Sequence, residues 1–149
     1  MRTRTAARRI ALQALYQWDA VGEAFRDALP GFLVEWGQGR EVTDFAGELV
    51  LGCREHVVEI DARLQALAQH WALERMAVID RNILRLAAFE ILYRTDIPPK
   101  VSIDEAIDLA KRFSTEGSGA FVNGILDPLM AEVGAAEAPP APEPSRDDS

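Results

Sequence analysis

The eight residues AFVNGILD, Ala120 to Asp127, admit two readings, and the choice between them decides the fold. Asn123-Gly124 between apolar runs is a strong hairpin signal, because both residues tolerate positive φ. Yet Phe121, Val122, Ile125, Leu126 and Leu129 recur at helical spacing and fill one arc of about 140° on a helical wheel. A half-buried strand would alternate instead, and neither this stretch nor its neighbours do. The stretch therefore reads as helix, although a glycine inside it costs about 1 kcal/mol relative to alanine. Asn123 and Gly124 fall outside the apolar arc, so Gly124 leaves bare backbone on another face. That suits either close packing against the first helix or the approach of a ligand backbone, with Asn123 hydrogen-bonding across the gap.

The same period extends outward from this point. It predicts helices over 5–18, 21–37 with a break or kink near Pro30, 42–57, 60–74, 78–94, 102–114 and 118–132. The boundaries coincide with residues that end helices for steric and entropic reasons: Gly37 and Gly39, the run IPPK and the run STEGSG. Ser102 and Glu105 have the spacing of a capping box. The expected fold is all-α, a single domain of about seven helices.

The chain has 149 residues, 48% of them hydrophobic, enough for one buried core. That domain is expected over residues 1–133. From Gly134 onward, GAAEAPPAPEPSRDDS holds four of the eight prolines and reads as a disordered acidic tail, residues 134–149. No apolar run is long enough to span a membrane, and the arginine-rich start lacks the apolar block of a signal peptide. A cytoplasmic chain with no membrane partner is expected. Cys53 is the single cysteine, which excludes an internal disulfide, and Leu49, Val50 and Leu51 beside it predict a buried thiol. The net charge of −8 argues against a polyanionic partner until its distribution is considered. Arg2, Arg4, Arg8 and Arg9 open the chain, and the first acidic residue is Asp19. Local potential steers a ligand more than the total does; a solvated basic terminus is the plain alternative.

On a wheel of about 100° per residue with Arg9 at the origin, Ile10, Ala11, Leu12, Ala14, Leu15 and Trp18 fill the arc from roughly 100° to 300°. Arg9, Gln13 and Tyr16 share the opposite stripe, a cation, an amide and an aromatic ring facing solvent. Tyr16 either lies flat against Leu12, as amphipathic side chains do, or stacks on an unpaired nucleobase. In the second reading arginines hold phosphates and Gln13 meets a base edge, the surface of a single-stranded nucleic acid binder.

No catalytic motif competes with this. His56 and His70 have no second metal-type ligand at a recognised spacing, so no metal site is expected. Gly-rich phosphate loops and the nucleophile elbow are missing, and Ser114, Ser118, His56 and Asp61 form no triad pattern. The carboxylate pairs Asp104–Glu105 and Asp104–Asp108 read as solvated helix faces. A protein that is not an enzyme and holds no cofactor is expected.

The segments ARRIALQALYQWD, residues 7–19, and IDRNILRLAAFEILYRTDIPPKVSIDEAIDLAKRFSTEGSGAFVNGILD, residues 79–127, resemble the NusB family of bacterial transcription antitermination factors. The resemblance implies two packed helical subbundles and binding of boxA-type single-stranded RNA. It also implies a partner, the small-subunit ribosomal protein NusE, and action on the RNA polymerase antitermination complex. It places the RNA surface at Arg2, Arg4, Arg8, Arg9, Gln13, Tyr16 and Phe121, to which the bare backbone discussed above adds Asn123 and Gly124. It places the partner surface at Trp18, Asp80, Arg81 and Arg85. A related class, the N-terminal RNA-binding domain of rRNA cytosine methyltransferases, shares the pattern, so an RNA-targeting domain of that kind is one alternative. A homodimeric RNA-binding regulator is another. Basic residues here are fourteen arginines and two lysines, which favours planar, bidentate contacts.

Overall fold

The computed structural model describes residues 2–137. Among them are seven α-helices: α1 Thr3–Val21, α2 Phe25–Trp36, α3 Arg40–Glu55, α4 Val57–Leu67, α5 Val78–Tyr93, α6 Pro99–Phe113 and α7 Ser118–Glu137. A 3₁₀ turn, Leu73–Arg75, precedes α5. No strand occurs among the described residues, and AFVNGILD lies inside α7.

The apolar arcs read from the sequence meet in one core. Helices α1, α2 and α3 pack on one another, α4 to α7 form a second group, and α5 touches both through α1 and α3. Leu12, Leu15 and Trp18 of α1 are fully buried with Leu49 of α3, Leu84 and Leu86 of α5, and Leu126 and Leu129 of α7. Cys53 belongs to this core; burial pushes its thiol well above the ordinary range, and the S–H points at the Arg85 carbonyl at 3.5 Å.

Four local expectations are corrected. The break near Pro30 does not occur: α2 runs continuously from Phe25 and the boundary falls at Gly22, whose φ of +90° suits glycine. Pro30 is exposed, so the Arg26 carbonyl that loses its helical donor faces water. The predicted helix 60–74 ends at Leu67, where the Gln65 side chain takes over the backbone. Its amide donates to the Ala68 and Trp71 carbonyls and accepts from the Leu73 N–H at 2.8 Å. The capping box is not formed, because α6 starts three residues earlier with Pro99 as its first residue, a position that needs no N–H. Finally, α7 continues through residues 134–137, so the described part of the expected tail is helical; the rest of that expectation lies outside the described residues.

The close packing considered for Gly124 is also absent. The residue is exposed, and a Cβ built on it meets nothing within 4 Å. No side-chain hydrogen bond of Asn123 spans a gap among the described residues. A different reason for the glycine is visible four residues on. Pro128 stands inside α7 and deprives the Gly124 carbonyl of its helical donor, and a bare α-carbon leaves that carbonyl open to water.

Candidate nucleic-acid interface

The stripe on α1 faces a groove. Helices α1 and α6 run side by side in the same direction, each packed on α5, and a hollow of about 470 Å³ lies between them, walled by Thr5, Arg9, Glu105, Asp108, Leu109, Lys111 and Arg112. Arg9 also lines a smaller hollow of about 190 Å³ with Ile10, Gln13, Trp36, Gln38 and Phe113. Thr5 and Glu105 are shared with a third hollow at the start of both helices, which holds Arg2, Arg4 and Pro98. Shared walls make these a single groove that follows α1 from its first turn to Gln13. Tyr16 stands one turn further along, 42% exposed, and is not tucked into the core.

Internal partners neutralise most of the acidic groups beside the groove. Asp96 accepts two hydrogen bonds from Arg94, at 3.0 and 3.1 Å, and lies 3.6 Å from Arg4; the Arg94 bonds hold its carboxyl below the ordinary value. Glu105 accepts from the Thr5 hydroxyl at 2.7 Å and lies 3.5 Å from Arg8. Among the described residues Arg9, Lys111 and Arg112 have no ion-pair partner. With aromatic rings at Tyr16, Trp36 and Phe113 beside them, they form a cationic face with flat apolar surfaces at its edge.

Two expected contact residues, Arg8 for RNA and Trp18 for the protein partner, are not at the surface. Arg8 is 3% exposed; its guanidinium donates to Glu90 through Nε at 2.8 Å and Nη2 at 2.7 Å, and Ser102 donates to the same carboxylate at 2.8 Å. On the wheel Arg8 falls at about 260°, inside the apolar arc, so its burial was legible. Its partner on α5 was not. Trp18 is likewise buried, its indole N–H donating to Glu23 at 3.2 Å and its ring meeting Phe25 edge-on, so it presents nothing to a partner.

Arg81 and Arg85 are turned inward as well. Asp19 of α1 accepts from Arg81 at 3.2 Å, Asn82 at 2.9 Å and Arg85 at 3.4 Å, while Arg85 also forks onto Asp61 of α4 with two bonds of 2.8 Å. Burial alone would raise the Asp19 carboxyl, but the Asn82 hydrogen bond and the charges of Arg85 and Arg81 outweigh it and hold it below the ordinary value. This is a clasp joining α1, α4 and α5, not a free rim. Asp80 accepts from Ser114 at 2.5 Å and Ser118 at 3.4 Å where α6 gives way to α7. It shares a separate hollow of about 360 Å³ with Phe121, Trp71, Arg75 and Met76, and Trp71 meets Phe121 edge-on at 6.1 Å. Phe121 is therefore grouped with Asp80 and not with the α1 stripe.

Sequence reasoning missed Lys111, Arg112, Phe113, Trp36 and Gln38. Lys111-Arg112-Phe113 looks like the cationic last turn that any helix dipole favours, and Trp36 looks like core until the termination at Gly37 exposes it. The adjacent basic and aromatic pair Arg112-Phe113 at the end of α6 was the available signal; Trp36, between Glu35 and Gly37, carried none.

Fold and groove together define a class: an all-helical protein of two subbundles whose first helix borders a cationic, aromatic-edged groove. Comparison with known proteins narrows it. The model of the NusB family matches residues 5–131. The chain is 50% identical over 129 residues to the transcription antitermination protein NusB of Anaeromyxobacter dehalogenans, covering 86% of this chain and 90% of that one. A solved structure of T. maritima NusB superposes with a TM-score of 0.74 at 39% identity, covering 87% of this chain and 91% of that one. Another, of antitermination factors NusB and NusE in complex with dsRNA, gives 0.78 at 29% identity, covering 89% and 98%. The chain belongs to the NusB family.

Proposed function

We propose that the chain is a transcription antitermination factor that holds boxA-type single-stranded RNA in the α1–α6 groove, acts together with the small-subunit ribosomal protein NusE, and promotes rRNA transcription. The observation that carries this is the row of unpaired cations Arg9, Lys111 and Arg112 beside exposed Tyr16, Trp36 and Phe113. Cations release counterions from a phosphate backbone, and aromatic faces accept unpaired bases. Its relatives' names support the antitermination role, and the solved complex of NusB and NusE with dsRNA supports RNA and NusE as the partners. The protein works in the cytoplasm by assembly, presenting RNA and ribosomal partner to RNA polymerase, and performs no catalysis. The Asp80–Phe121 hollow, lined by apolar Trp71 and Met76 together with charged Arg75 and Asp80, is the seat of the protein partner.

The test is binding of a boxA-type oligonucleotide, with NusE present, across a salt series. Replacing Arg9, Lys111 and Arg112 together with alanine is expected to weaken binding to every RNA and to flatten the log–log salt slope by about 0.7 per lost contact, about 2 in total. Tyr16→Ala is expected to cost about 1–3 kcal/mol with little change in slope, and Tyr16→Phe almost nothing. A duplex of the same sequence, its bases stacked on one another, is expected to bind less tightly. A triple variant that keeps the full slope would show that the RNA path lies elsewhere.

A further inference from the structure

Trp36 ends α2 with 51% of its surface in solvent, yet its ring is held in place. Phe32 stacks on it at 5.5 Å between centroids and 20° between planes. Phe32 in turn meets Phe25 edge-on at 5.5 Å, and Phe25 meets buried Trp18 edge-on at 5.9 Å, so a ladder of four rings runs from core to surface. The turn that follows is equally constrained. A Cβ at Gly37 would lie 2.5 Å from Thr43 Oγ1 and 2.6 Å from the Leu33 carbonyl, and Gly39 has a φ of +109°; both positions demand glycine. The run WGQG thus presents Trp36 and Gln38 in one arrangement, over the hollow that also holds Gln13, Phe113 and the groove cation Arg9.

We propose that this hollow is a nucleobase subsite: one unpaired base of the bound RNA stacks on Trp36, Gln13 and Gln38 meet its edge, and Arg9 carries the adjoining phosphate. The inference rests on the groove being the RNA path. Three features select a base over another occupant. The hollow opens directly into the cationic groove, so a chain of phosphates held there delivers bases to it. The open ring is backed by a second ring, which orders a stacking shelf before the ligand arrives and lowers the entropy lost on binding. The polar groups at its edge are two side-chain amides, each offering donors and an acceptor, as the edge of a nucleobase requires.

The experiment is equilibrium binding of a labelled boxA-type RNA, with NusE present, to wild type, Trp36→Ala and Trp36→Phe, repeated with oligonucleotides carrying one abasic position each. Trp36→Ala is expected to weaken binding about 5- to 150-fold, the range for losing one base stack, at unchanged salt slope and helical content, with only the small fall in melting temperature that loss of the Phe32 stack brings; Trp36→Phe should retain most of the affinity. One abasic position should weaken wild type by a similar factor and leave Trp36→Ala no weaker than it already is, which identifies the base concerned. Wild-type affinity in Trp36→Ala, while the cation variants lose theirs, would overturn the subsite and leave the groove standing. Additive effects of every abasic position and Trp36→Ala would also overturn it. If Trp36→Ala instead abolished a concentration-dependent dimer of the free chain and spared RNA binding, Trp36 would be a contact between copies and the proposal would fail. Absence of RNA binding by wild type would sink the groove itself.

Discussion

Replacing Arg8 with alanine should unfold much of what holds α1 to α5. The Glu90 carboxylate is 1% exposed and receives two bonds from Arg8 and one from Ser102. Without the guanidinium it keeps only the Ser102 hydroxyl, in a site closed to water. Removing one member of a buried pair costs about 3–5 kcal/mol, because the remaining charge stays desolvated. Set against a total stability of about 5–15 kcal/mol, that is roughly a fifth or more of what a domain has. The melting temperature is expected to fall by roughly 10–20 °C. Arg8→Lys keeps the charge but not the fork, and should lose about 1–3 kcal/mol. Arg8→Met combined with Glu90→Leu and Ser102→Ala removes every polar member at once and should recover most of the loss, since apolar replacement of a whole buried pair is often neutral. Urea unfolding followed by circular dichroism, with RNA binding measured on the same samples, decides the matter. An Arg8→Ala variant that lost under about 1 kcal/mol of stability but much of its RNA affinity would refute this reasoning and return Arg8 to the phosphate surface.

Two further variants probe the same architecture. Asp19→Asn should cost about 1–3 kcal/mol by leaving Arg81 and Arg85 without their shared anion. Because the folded carboxyl titrates below its ordinary value, its contribution is complete above the unfolded value near 3.8 and is lost as pH falls through the folded one. The variant should therefore show a flatter loss of stability in acid, measured by denaturant melts from neutral pH downward; an unchanged acid limb would mean the clasp is open in solution. Gly124→Ala should change the stability of α7 by less than about 1 kcal/mol, since the added methyl meets nothing and alanine is the better helix former, while the same methyl narrows the access of water to the carbonyl that Pro128 leaves unpaired. Its RNA affinity should not change, because Gly124 does not line the groove; a loss of affinity at a nearly unchanged melting temperature would put the ligand over α7.

Helix class and the inward faces were legible in the sequence alone, because a period of 3.6 residues is written into each segment without reference to any other. That local signal resolved AFVNGILD as helix in spite of Asn123-Gly124, placed Trp18 and Cys53 in the core, and set Arg9, Gln13 and Tyr16 on an outer stripe. It also carried the burial of Arg8, at about 260° on the wheel, against the expectation that every early arginine meets RNA. What only the tertiary structure decided is which segments face one another. Glu90 and Ser102 converge on Arg8 from α5 and α6, Asp19 gathers Arg81 and Arg85, and Ser102 and Glu105 serve these pairs instead of capping their own helix. Lys111, Arg112, Phe113 and Trp36 become one surface with Arg9 only because α1, α2 and α6 bring three distant helix turns together. The physical reason is that hydrophobic burial is read from spacing within a segment, whereas ion pairs and grooves arise between segments, from side chains whose partners lie up to about a hundred residues away along the chain.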